Sequence, residues 1–231
     1  MLNSLLIILM VLLQVSVLML YIYHRDNIEK EPIGLILIIF ILGMLCVIFS
    51  GKIWNLIANA IPEIGEEVTN ENKYVRFLVS YGEIGFIEET VKYIFLNIII
   101  YRNKNYNYEY DGIVYSTAIS LGFALLEGIN YGIGSNIFTT IIRGVLTTPM
   151  HVVYGVFMGY YLSKSKKNIS SRSLYYRYIG LFIPIIIHGT SDYLLSTLNQ
   201  SNLLIYIIYS LVIYIMALKK INELSNLDKR L

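Results

Sequence analysis

The stretch Phe86-Ile87-Glu88-Glu89-Thr90-Val91-Lys92-Tyr93-Ile94-Phe95-Leu96 sets three charges in the middle of a run, residues 77–101, that is otherwise apolar enough to cross a bilayer. A charged side chain at the centre of a spanning helix costs about 2.5–3.5 kcal/mol on insertion scales. Lipid does not accommodate Glu88, Glu89 and Lys92 together, so that face is expected to meet a protein interior or a water-filled cavity. Three other apolar runs carry matching anomalies: Glu127, His151, and the pair His188 and Asp192. Four helices with inward carboxylates and imidazoles predict one polar site inside a membrane bundle.

The composition agrees. The chain has 231 residues, 56% hydrophobic and only 15% charged, against about 25% charged in soluble domains, and its mean hydropathy is +0.60. A net charge of +2, scattered along the chain, argues against nucleic acid as a partner. The single cysteine, Cys46, makes no intrachain disulfide and reads as a small core hydrophobe. Seven spans are expected, at about 2–23, 33–50, 77–101, 111–132, 137–162, 174–198 and 203–218, in an all-α polytopic transmembrane bundle forming one domain over residues 1–231. The first run lacks a basic leader and a small-residue cleavage site, so it reads as a span and not a signal peptide. The runs do not alternate apolar and polar residues, which excludes a β-barrel.

Lys and Arg set the expected orientation. One set of span ends holds Arg25, Lys30, Arg102, Lys104, Lys164, Lys166, Lys167, Arg172, Lys219, Lys220, Lys229 and Arg230, whereas the opposite loops hold only Lys52, Lys73 and Arg76. The positive-inside rule then puts the N-terminus outside and the C-terminus in the cytoplasm of a cell membrane. The outer loop, about 51–76, is acidic through Glu63, Glu66, Glu67 and Glu71, and these are expected to be solvated. His24, beside Arg25 and Asp26, is expected to be solvated as well.

Spacing then sorts the buried polar residues. Lys92 stands one turn from both Glu88 (i,i+4) and Glu89 (i,i+3), so its ammonium can reach either carboxylate. Two adjacent carboxylates beside one lysine divide into a group that takes a proton and a group held charged. Phe123 and Glu127 share a face between Gly122 and Gly128. Gly155 and Gly159 follow His151 at one-turn intervals and make that face a helix-packing face, and Pro149 is expected to kink the helix and free a carbonyl. Arg143 can pair with Glu127, with Glu83 or with lipid headgroups. His188 and Asp192, at i,i+4, allow the carboxylate to fix the imidazole tautomer, or allow both to ligate a metal. The bland alternative throughout is ion pairs that fix packing.

No serine or cysteine sits in a nucleophile turn, so two chemistries remain. In one, Glu88 or Glu89 activates a water while His151 or His188 supports the oxyanion. In the other, His151, His188 and Glu127 hold zinc, although the metalloprotease spacing His-Glu-x-x-His is absent.

The ordered set Glu88-Glu89-x-x-Lys92, Gly122-Phe123-Ala124-x-x-Glu127 with Tyr131, His151-x-x-x-Gly155 and His188-Gly189-x-x-Asp192, preceded by Asp111-Gly112-Ile113-Val114-Tyr115, resembles the PrsW family of bacterial intramembrane proteases over about residues 77–198. The resemblance implies cleavage of a membrane-anchored protein, a single-span anti-sigma factor cut on its extracytoplasmic side, in regulated intramembrane proteolysis. It implies a site of Glu88, Glu89, Lys92, Glu127, His151, His188 and Asp192, with a cofactor that is either absent or zinc. Distant relatives, the CAAX-type prenyl proteases, carry histidine or asparagine where this chain has Glu127 and Asp192. A proton- or metal-coupled transporter is the competing class, against which stands the lack of an inverted repeat. A non-catalytic membrane scaffold is the third.

Overall fold

The computed structural model describes residues 2–61, 73–168, 171–197 and 200–231. Among them lie seven helical rods: α1 (Leu2–His24), α2 (Ile33–Ala60), α3 (residues 73–100), α4 (Asp111–Gly134), α5 (residues 137–167), α6 (Ser171–Ser196) and α7 (Gln200–Asn226). Six are long and apolar enough to cross a membrane, which makes this a multi-pass membrane protein. The exception, α3, carries the charged cluster. Among the described residues a lone bridge between Tyr108 and Arg230 is the sole strand-like pairing. Helices suit these Ile- and Leu-rich runs because each rod satisfies its own backbone polar groups, which lipid cannot do.

The central pillar is α4, 83% buried over its most apolar stretch, whereas α1 and α7 are 22% buried and α2 is 28% buried over theirs. The outer rods present Leu and Ile outward, as lipid-facing helices do, and α4 is wrapped by α1, α2 and the second half of α5. Small residues let the backbones close up. A Cβ on Gly155 would meet the Thr117 backbone at 2.7 Å, and one on Gly122 would strike the Phe40 carbonyl of α2. Cys46 is fully buried.

Two helices break where their sequences demand it. The rod α5 starts at Asn136, whose side chain accepts from the Thr139 amide at 2.9 Å. It breaks at Thr147, with Pro149 in the first turn of the segment Thr148–Lys167. The carbonyl freed there, that of Leu146, accepts from the hydroxyls of Tyr206 and Tyr214 on α7, each at 3.1 Å. The other break is in α3, where Lys73–Leu78 is α-helical, Val79–Glu88 is π-helical and Glu89–Ile100 returns to α.

The basic ends gather on one side of the bundle. The segment 101–110 joins the C-terminal tail through Glu109 N to Lys229 O at 3.0 Å and Leu231 N to Asn107 O at 2.7 Å. The α1–α2 loop joins α7 through Asn27 Nδ2 to Ser225 Oγ at 2.9 Å, and Lys167 pairs with Glu109 at 2.5 Å.

One expectation of the fold changes. The second span does not stop near residue 50: the helix runs on to Ala60 through Lys52, which is exposed, and Trp54, which is partly buried against the core. Glu63, Glu66, Glu67 and Glu71, expected to be solvated, lie outside the described residues. His24 is exposed as expected, but its neighbour Asp26 is 1% exposed.

Candidate active site

Glu89 is the anchor of the site. It is fully buried, and its Oε1 accepts from Lys92 Nζ at 2.6 Å and meets His188 Nδ1 at 2.7 Å. Of the two carboxylates Lys92 could reach, it takes the i,i+3 partner, and its ammonium also sits 4.1 Å from the centre of the Phe123 ring. His188 carries the network onward. Its Nε2 lies 3.0 Å from Asp192 Oδ2 and 4.0 Å from Glu88 Oε2. Three carboxylates on two helices therefore surround one imidazole.

Glu88 differs from its neighbour in kind. It lines a cavity of about 180 Å³ together with Glu83, Phe123, Glu127, Asn130 and Tyr131, and its Oε2 is buried without a hydrogen-bond partner. The π-helical segment sets that difference. An i→i+5 turn shifts the helix register, and such turns recur at functional sites; this one ends at Glu88 itself. It rests directly on α6, where a Cβ on Gly85 would meet the Ile185 carbonyl at 2.7 Å and the Gly189 amide at 3.2 Å. That contact holds His188 against Glu89. Gly85→Val is expected to push α6 off α3 and reduce activity at least tenfold. Gly82→Ala, in the same segment but with nothing within 4 Å of its Cβ, serves as the near-neutral control. Equal activity in the two variants would remove the helix contact from the account.

A second pair completes the cluster. His151 Nε2 meets Glu127 Oε2 at 3.1 Å, and Arg143 Nη2 meets the same oxygen at 3.0 Å. Of the partners open to Arg143, the structure shows Glu127, with the guanidinium also 4.0 Å from the Tyr131 ring. Glu127 is thus ion-paired, though its side chain keeps 18% exposure. The two imidazoles touch, their ring centres 5.5 Å apart. All seven residues singled out by motif fall in this one cluster, at the meeting of α3, α4, α5 and α6. Tyr154 is an addition. It stacks on His188 at 4.3 Å and meets His151 edge-on at 5.5 Å. It lies three residues from His151, a spacing visible in the sequence, but an aromatic on a packing face reads there as core.

The zinc set expected from sequence does not assemble. Among the described residues only Asp26, Glu31 and Asp111 bring one ligand atom each within 4.8 Å of one another, whereas His151, His188 and Glu127 do not. The physical reason is that the nitrogens are already engaged: both of His188 by Glu89 and Asp192, and Nε2 of His151 by Glu127. In this arrangement the donor atoms of the three residues do not converge within that distance, and Nδ1 of His151 is left without a partner.

A sequence model described as "PrsW family intramembrane metalloprotease" matches residues 31–218. The match reaches beyond the motifs and takes in α2 and the acidic segment after it. The chain is 33% identical over 180 residues to Protease PrsW of Bacillus subtilis, covering 78% of each chain. It is 32% identical to Protease PrsW of Oceanobacillus iheyensis over 88% of this chain and 90% of that one, and 28% identical to that of Clostridioides difficile over 92% and 88%. No solved structure matches.

Proposed function

The chain belongs to the PrsW family of intramembrane metalloproteases, a peptidase family, and on that premise we propose that it cuts a membrane-anchored protein by a glutamate-activated water. The substrate is a single-span protein of the anti-sigma-factor kind, cut on its extracytoplasmic side, and the whole chain acts as one protease domain. The basic layer faces the cytoplasm and the N-terminus lies outside, in keeping with twelve Lys and Arg on one set of ends against three on the other.

The observation that carries the chemistry is Glu88, a carboxylate that lines the cavity and whose Oε2 makes no hydrogen bond. Glu88 takes a proton from a cavity water, and the hydroxide attacks the carbonyl carbon of the scissile peptide. The oxyanion is met by the Nδ1–H of His151 in its doubly protonated form, in which Nε2–H donates to Glu127 and Nδ1 has no partner within the protein. Protonated Glu88 then gives its proton to the amine nitrogen as the C–N bond breaks, so one carboxyl serves both halves of the reaction. Glu89, sealed between Lys92 and His188, stays charged and orients His188. Asp192 holds the other ring nitrogen.

The test uses purified protein in liposomes with a panel of single-span membrane proteins, with and without 1,10-phenanthroline. Cleavage on the extracytoplasmic side is expected, unchanged by the chelator. Cleavage lost with the chelator and restored by zinc would move the chemistry onto an ion and overturn the glutamate-water reading.

A further inference from the structure

A second polar cluster lies at the basic end of the bundle, well away from the histidines. Asp111 opens α4 and stands 16 residues before Glu127 on the same helix, which is about 24 Å along the axis. Asp26 and Glu31, from the α1–α2 loop, are 1% and 2% exposed, and Asp111 is 0% exposed. One carboxylate oxygen from each lies within 4.8 Å of the other two.

Clustered acids alone would not make a site, but these have bonding capacity left over. Both carboxylate oxygens of Asp26 are buried and unpartnered. Asp111 Oδ2 accepts the amides of Asn107 and Tyr108 at 2.8 and 2.7 Å, while its Oδ1 has no partner. Glu31 Oε2 accepts from the Tyr115 hydroxyl. At the rim, Asp228 Oδ2 and Asn107 Oδ1 are likewise buried and unpartnered. Of the neighbouring cations, Lys30 Nζ binds the main-chain oxygens of Tyr23, His24 and Asp26, and Arg25 binds the Asn222 side chain while its Nε is left without a partner. Three carboxyls brought together out of water, with several oxygens making no hydrogen bond, is a costly arrangement.

We propose that Asp26, Glu31 and Asp111 bind a hard divalent cation of the calcium or magnesium class, which ties the α1–α2 loop to the start of α4. The donor set is all oxygen, with no imidazole or thiolate, which selects hard ions over zinc. The C-terminal tail closes over the same place through Asp228, whose Oδ1 accepts the Tyr110 amide at 2.9 Å. An ion here would brace the base of the helix that carries Glu127, without taking part in proteolysis.

Two readouts independent of activity test this on the full-length protein in detergent. Terbium should luminesce on tyrosine excitation, with Tyr115 bonded to Glu31 as the sensitiser, and calcium or magnesium should displace it. Either ion at 100-fold above its Kd should raise the melting midpoint saturably, by about 5 °C or more. Asp26→Asn should abolish both effects. Wild type showing neither terbium luminescence nor a midpoint shift would overturn the proposal, as would an Asp26→Asn variant that still shows both.

Discussion

Glu88→Gln is expected to lower kcat for peptide cleavage by about 10³, with KM and the melting midpoint close to wild type. The substitution keeps the volume and an acceptor oxygen and removes only the basicity. Glu88 Oε2 makes no hydrogen bond and its side chain keeps 16% exposure at the cavity wall, so little structure depends on its charge. A general base should give this pattern, because the loss falls on the proton transfer and not on substrate binding. The control is Glu127→Gln. Glu127 lines the same cavity but is bound to His151 and Arg143, so its loss should impair oxyanion support and destabilise the pair together. If Glu88→Gln cuts at the wild-type rate, the base lies elsewhere and Glu127 becomes the carboxylate to examine. The comparison is made by steady-state kinetics on one reconstituted substrate, alongside thermal melts of the same preparations.

Which glutamate faces water is the part of the site that spacing could not supply. Lys92 stands at i,i+3 from Glu89 and i,i+4 from Glu88, and both separations satisfy a helix. The choice is made by Gly85, whose contact with Ile185 and Gly189 comes from a helix about 100 residues further on, and by a π-helical turn with no clear signal beyond Gly82 and Gly85. By contrast, the seven rods, the kink before Pro149 and the gathering of the motif residues were legible. Each rests on a local cost that has only one remedy: charges in an apolar run must turn inward, and a proline must interrupt the backbone ladder. The cluster of Asp26, Glu31 and Asp111 was illegible for the opposite reason. Each residue reads as an ordinary loop or helix-start acid, and only the docking of the α1–α2 loop on α4 makes them neighbours. Zinc was not decided by the sequence, because residue types do not say how a histidine nitrogen is engaged.

Removing one partner of the sealed ion pair should produce the largest stability change in the molecule. Glu89 and Lys92 are both 0% exposed and 2.6 Å apart. Glu89→Gln leaves an ammonium in a dry interior, facing the Phe123 ring without its carboxylate; Lys92→Met leaves the carboxylate with only His188. Breaking a buried pair from one side costs about 3–5 kcal/mol, whereas replacing both partners with neutral groups of similar size is often close to neutral. Each single variant should therefore melt about 10 °C below wild type, and the double variant Glu89→Gln/Lys92→Met should recover most of that loss. The coupling between the two positions is then large and favourable, as expected for groups in direct contact. Cleavage by the double variant separates structure from chemistry. The amide oxygen introduced by Glu89→Gln can still accept from His188 Nδ1, so restored cleavage would make the charge pair a scaffold for that imidazole. Stability regained without cleavage would instead show that the negative charge beside His188 enters the reaction. Single variants that melt with wild type would mean the pair is not sealed from water, and the division of labour between Glu88 and Glu89 would fall with it.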